Sequence, residues 1–259
     1  MVRKKQKGVH SSKIWLLISF SVAMLFWYYL SISESTARSF PNILLVWKSI
    51  FIMLDRGVLL VDLMTSLWTI LCGFLVGLVL SIPNAIIMAW YIPYQKVVSP
   101  WLHFIRNIPP LAYVPLVVLS AGVGFVPQVI VISIATFLTM TITIFQGIIH
   151  IDPVLIQAAK VLGASDVAVF QKVLIPASIP FLVTAIRLGV GVALTTLIAA
   201  ESTGAIAGLG MRIRSLNNTF DSAPLLLYII IIGLIGLIID KCIDGLEKRL
   251  TVWQEKKEM

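Results

Sequence analysis

The 259-residue chain is short of charge, of cysteine and of the side-chain groupings that carry catalysis. Only 12% of its residues are Asp, Glu, Lys or Arg, against about a quarter in a soluble globular domain. That deficit excludes a soluble fold, and 59% hydrophobic residues with a mean hydropathy of +0.99 describe an integral membrane protein. Of the two cysteines, Cys72 falls inside an apolar run and Cys242 just past one, so a disulfide framework is not supported. No G-x4-G-K-[ST] segment is present to cradle the phosphates of ATP, and H-E-x-x-H and C-x-x-C are also missing. His10, His103 and His150 are scattered without a catalytic pairing. An intramembrane enzyme is therefore not expected, nor is a cofactor or a metal. Acids are scarce as well: after Asp62, Glu201 is the only carboxylate close to the apolar interior. Ion-coupled carriers usually need acids near the bilayer midplane. The scarcity weighs against a secondary carrier or channel, with Glu201 keeping that alternative open, and a non-transporting scaffold is a third class.

What the chain has in abundance is apolar runs. They lie at residues 14–30, 63–90, 111–121, 126–149, 181–200 and 225–239, near the roughly 20 residues that span a bilayer. The third is too short alone, and extending it back to Trp101 gives a sufficient length while including His103 and Arg106, which are expected to snorkel to the interface. The fold class expected is thus all-α integral membrane, with about six transmembrane helices. The first run follows Arg3, Lys4, Lys5 and Lys7 but is long, aromatic and without a small-residue cleavage pattern. It reads as an uncleaved span rather than a secretory signal.

With the N-terminus inside, one side collects Arg3, Lys4, Lys5, Lys7, Lys13, Lys96, Arg106, Lys160, Lys172, Arg187, Lys241, Lys248, Arg249, Lys256 and Lys257. The other holds Arg38, Lys48, Arg56, Arg212 and Arg214. This asymmetry predicts cytoplasmic N- and C-termini in a multi-pass protein of the cell membrane. The net charge of +8 therefore reflects topology and contact with the lipid bilayer, not nucleic acid.

Three regions are expected along the chain: residues 1–60 with the first span and an external interfacial helix near 41–54, a core of 61–250, and a cytoplasmic tail of 251–259. Pro83 predicts a kink or break in the second span, and Gly73 and Gly77 offer a small-xxx-small packing face. Residues 91–100, with two prolines, read as a cytoplasmic turn. Three prolines in residues 106–115 predict an irregular helix, either a plain kink or a lining of the solute path, which makes Arg106, Pro109 and Pro110 candidates. Thr139 and Thr143 give the fourth span a partly polar face, although threonines often bond back to their own helix. Glu201 lies towards the outer end of the fifth span. A structural role, capping the helix end or pairing with Arg212 or Arg214, is favoured over contact with solute. Residues 204–221 read as an external re-entrant or surface segment.

Residues 152–180 form the longest interval after residue 60 that is not simply hydrophobic. Asp152-Pro153 signals a helix start and Gly163 a turn out of that helix near Leu162. Ser165-Asp166 opens a second helix, expected to end at Pro176. Ala158 and Ala159 leave the first helix nearly bare, with Val154, Leu155 and Leu162 on one face, a small knob suited to a groove.

Gln157-Ala158-Ala159, Gly163 and Val173-Leu174-Ile175-Pro176 resemble the E-A-A-x3-G-x9-I-x-L-P loop of permease subunits of type I ABC importers, with Gln157 in place of glutamate and Ile175 in place of leucine. Arg106-Asn107-Ile108-Pro109-Pro110-Leu111-Ala112, Arg187-Leu188-Gly189, Ala199-Ala200-Glu201 and Gly208-Leu209-Gly210 resemble the nitrate, sulfonate and taurine branch. The likeness spans roughly residues 62–250. It implies a cytoplasmic helix-turn-helix coupling loop in which Gln157, Ala158, Ala159, Gly163, Val173, Ile175 and Pro176 meet the ATPase. It further implies two ABC ATPase subunits, a second permease copy and an external solute-binding protein. The implied substrate is a small anion or organic compound such as nitrate, a sulfonate, taurine or a thiamine-precursor pyrimidine.

Overall fold

The computed structural model describes residues 5–251, with side chains from Ile14 onward. Among these residues all regular structure is helical. Five helices are long and apolar enough to cross a membrane, or six if one sharply bent pair counts as a single span. By their contacts the described residues fall into two compact units: those up to Leu60 with Ser215–Ile230, and Val61–Arg214 with those from Ile231 on.

In the smaller unit α1 (Lys5–Ile32) leads to α2 (Ile43–Asp55). Trp27 Nε1 donates to Pro41 O at 3.1 Å and Thr36 Oγ1 to Leu30 O at 2.6 Å, closing the connection. Asn42 caps α2 by accepting from the Leu44 N–H at 2.9 Å. The helix expected near 41–54 is present.

The larger unit is organised around α6 (Phe125–Ile149), whose most apolar stretch is 67% buried. It packs against α3 (Val58–Trp90) and α9 (Ile175–Gly204). Glycines permit the approach: a Cβ on Gly73 would lie 2.7 Å from Ile132, and one on Gly189 2.7 Å from Met140 Sδ. The Ser133 hydroxyl donates to Gly73 O at 3.1 Å, so the small-residue face of α3 is both packed and hydrogen-bonded. Ala85, Met88, Leu102, Leu138, Met140, Ile144 and Ala185 belong to one buried cluster.

Four expectations are corrected. Helix α3 runs unbroken through Pro83. Residues 91–100 are not a turn but most of α4 (Ile92–Arg106), because Pro93 falls in the first helical turn, where no N–H is needed. Tyr94 Oη bonds Asn84 Oδ1 at 2.7 Å and ties α4 to α3. The third span is not one helix from Trp101: α4 and α5 (Pro110–Ala121) meet at 98° across Asn107–Pro109. Pro109 and Pro110 remove two donors there, and 12 residues of α5 cover only about 18 Å. Lastly, no helix ends at Pro176. Helix α7 (Pro153–Val161) is followed by α8 (Asp166–Val169), a π-helical turn at Phe170–Leu174 and then α9 without interruption. The Ile175 N–H reaches back five residues to Phe170 O, and this widened turn carries the chain past a proline that would crowd an ordinary one.

Helix α10 (Leu209–Asn218) occupies most of the segment read as re-entrant, and α11 (Ser222–Leu250) is the last helix among the described residues. Gly122 and Gly124, both at positive φ, turn α5 into α6, where the Gly124 N–H bonds Gly204 O at 2.8 Å.

Candidate functional site

At residues 153–169 the caps and the turn follow the sequence prediction, although the second helix runs on past Pro176. Asp152 Oδ1 accepts from the Val154 N–H at 2.9 Å, and the Ser165 hydroxyl accepts from the Ala168 N–H at 3.3 Å. Gly163 adopts φ +81°, with its N–H on Lys160 O, and Ala164 N bonds Ala159 O at 3.0 Å. No residue of α7 is buried. Val154 is 62% exposed and Leu162 87%, with Leu155, Gln157 and Ala158 also exposed and Ala159 half-buried. Val173 and Pro176 are half-buried and Ile175 exposed, in the π-helical turn and the first turn of α9. The family-motif residues thus occupy one knob and the base of the helix it leads into.

That base is long. From Asp166 to Gly204 the chain is helical for 39 residues, about 58 Å at 1.5 Å per residue, roughly twice the thickness of a hydrocarbon core. At least one end must project beyond the bilayer unless the helix tilts steeply. A β-branched side chain at φ +81° costs about 1–2 kcal/mol, and space around Gly163 is open. Gly163→Val is expected to insert and assemble but to transport at a rate reduced severalfold, measured as uptake by cells with matched membrane levels; unchanged uptake would show that the turn does not depend on glycine.

At the opposite end, Glu201 is 1% exposed and lies in a cluster that sequence reasoning did not assemble. Its Oε1 accepts from Ser66 Oγ at 2.7 Å and its Oε2 from the Gly210 N–H at 2.7 Å. The Leu209 N–H donates to Ser66 Oγ at 2.8 Å and the Gly208 N–H to Asp62 Oδ1 at 3.0 Å. Three successive N–H groups at the start of α10 therefore meet two carboxylates and a hydroxyl from α3 and α9, where free donors and the helix dipole favour negative charge. Gly208 has φ +133°, and a Cβ there would overlap the Glu201 carboxylate. Arg212 pairs with Asp62, Nε on Oδ2 at 2.7 Å, rather than with Glu201, and Arg214 donates to Ser202 O. The partners of Glu201 are Ser66 and Gly210, not the Arg212 or Arg214 expected from the sequence. Asp62 and Ser66, four residues apart on α3, were the legible signal.

A second cluster also went unforeseen. Arg187 donates to Asp240 at 3.1 Å, Asp244 at 2.6 Å and Glu247 at 2.7 Å, all on one face of α11. Of the remaining path candidates, Thr139 and Thr143 bond back to Ala135 O and Thr139 O at 3.1 and 2.8 Å. Arg106 ends α4, exposed, and Pro109 and Pro110 form the break itself. The structure does not bring these residues together with Glu201.

Residues 77–252 match the family described as binding-protein-dependent transport system inner membrane component. A protein of Brucella abortus (strain 2308) that bears the name probable ABC transporter permease protein is 37% identical over 240 residues, which cover 93% of this chain and 95% of that one. The taurine transport system permease protein TauC of Escherichia coli (strain K12) is 31% identical over 191 residues, 74% of this chain and 70% of its own. Among solved structures, the inward-facing MetNI methionine ABC transporter matches with a TM-score of 0.67 at 17% identity, over 74% of this chain and 96% of the other. Shared fold, family match and near-complete coverage agree. The chain belongs to the binding-protein-dependent transport system inner membrane components, the permease subunits of ABC transporters, which leave ATP hydrolysis to a separate subunit, in the branch that includes TauC.

Proposed function

We propose that this permease imports a small solute bearing an anionic oxygen group, a sulfonate such as taurine first among them. An external binding protein delivers the solute, and two ATPase subunits seat on α7 of this chain and of a second permease copy. The observation that carries the reading is the exposed apolar knob of α7, since Val154, Leu155 and Leu162 in water are otherwise unexplained. Likeness to TauC supports the substrate class. Gln157, Ala158, Ala159 and Gly163 form the docking face, on the cytoplasmic side with both termini. Val173, Ile175 and Pro176 pass its movement into α9. Closure of the ATPase dimer on ATP shifts α7, and the bundle opens the path to the outside by rigid-body rotation. Arg106, Pro109, Pro110, Thr139 and Thr143 line that path, while Glu201 holds the loop at its outer end.

The permease co-purified with its native partners, reconstituted in proteoliposomes, should accumulate labelled taurine only with ATP on the ATPase side and binding protein on the other. Uptake by the permease alone on an ion gradient would overturn the reading in favour of a carrier. ATP-dependent uptake that taurine and nitrate both fail to compete would keep the transporter and overturn the substrate class.

A further inference from the structure

Between α7 and the ends of α3 and α6 lies a cavity of about 680 Å³, whose walls include Ile86, Ala89, Trp90, Ile148, Ile156 and Phe170. A smaller one of about 340 Å³ shares Ile86, Trp90, Asp166 and Phe170 and continues past Tyr91 and Val167. The Trp90 and Phe170 rings meet edge to face at 5.6 Å in the common wall. Charge enters where Lys160 and Asp166, both on the larger cavity, face each other at 3.4 Å, 59% and 73% exposed. An exposed pair of this kind contributes little to stability, so both groups are free to exchange partners at low cost.

We propose that this cavity binds a zwitterionic aminophospholipid of the phosphatidylethanolamine class, with an acyl chain inside and the headgroup across the Lys160–Asp166 pair. Two observations commit the occupant. The cavity opens where the spans α3 and α6 end, at Trp90 and Ile149, and Trp90 and Tyr91 are 57% and 59% exposed, as aromatic residues are at the level of lipid headgroups. The cavity offers one cation and one anion side by side, the complement of a phosphate linked to a primary ammonium. An anionic headgroup would satisfy Lys160 and be opposed by Asp166. A trimethylated ammonium could not donate to the Asp166 carboxylate. Apolar walls of this area gain by exchanging water for an acyl chain. A lipid seated there ties α7 to the span ends and makes the position of the coupling knob depend on the bilayer.

The test uses the complete transporter with its ATPase subunits in nanodiscs, with phosphatidylethanolamine carrying a photoreactive acyl chain. Labelling should concentrate on residues 86–91 and 167–175 and fall about tenfold, some 1.4 kcal/mol, when the same tail carries a phosphatidylglycerol or phosphatidylcholine headgroup. Ala89→Phe, which fills the cavity, should lower it as far while leaving labelling at the exposed Leu80, on the same helix and away from the cavity, unchanged. If that variant fails to assemble, the headgroup comparison in the wild type decides alone. Equal labelling by the three headgroups, labelling spread evenly over the lipid-facing helices, or capture of an ATPase side chain by a thiol crosslinker at Ser178→Cys would each overturn the proposal.

Discussion

Arg212→Ala is expected to lower the thermal midpoint of the purified transporter by on the order of 10 °C and to abolish uptake. Asp62 is fully buried on α3, and Arg212 meets it with two nitrogens, Nε at 2.7 Å and Nη2 at 3.3 Å. Removing the guanidinium strips a buried carboxylate of the cation that opposes its charge, a loss of about 3–5 kcal/mol, and each kcal/mol moves the midpoint of a chain this size by about 2–4 °C. The cost reaches beyond one pair, because Asp62 also receives the Gly208 N–H and so holds the loop whose next two N–H groups meet Ser66 and Glu201. Asp62→Asn combined with Arg212→Ala removes both charges and should recover more than half of the lost stability. Such recovery in a double-mutant cycle identifies the buried charge as the cause. A shift below about 2 °C in the single variant, measured in nanodiscs, would show that Asp62 is held by other contacts.

Ala158→Arg should do the reverse, leaving stability intact while uptake falls at least tenfold, about 1.4 kcal/mol of lost docking. Ala158 is exposed on α7, so a long side chain there meets nothing within the subunit and the midpoint should move within the range of surface substitutions, about 0.5 kcal/mol. Ala159 is half-buried and would confound the two effects. On the outer face, the guanidinium would stand between Val154, Leu155 and Leu162, and a partner groove could close over it only by burying an uncompensated charge. Co-purified ATPase should decline with uptake, and Ala158→Ser should behave as wild type. Unchanged uptake and unchanged ATPase recovery in Ala158→Arg would remove α7 from the docking surface.

Sequence alone determined what depends on near neighbours and on bulk composition. Hydropathy marked the candidate spans because side-chain transfer free energies add along a helix whose backbone is hydrogen-bonded within itself. Asp152, Ser165 and Gly163 announced the helix-turn-helix because caps and positive φ act within four residues. The small faces of Gly73 and Gly77 announced a close packing. Tertiary structure decided the rest. Prolines at 83 and 176 mark helix ends in isolation, yet α3 passes through the one, and a π-helical turn leads into the other. At Asn107–Pro109 the same residue type produced a 98° bend, and packing of α4 and α5 on different parts of α6 set which outcome each proline had. Arg212 had Glu201 and Asp62 equally available by charge. It took Asp62, 150 positions away, while Glu201 took Ser66 and the Gly210 N–H. Arg187 likewise found its three acids on α11 at separations of 53 to 60 residues. Such partnerships have no local signature, since the attraction depends on distances that exist only once helices far apart in the chain have packed side by side.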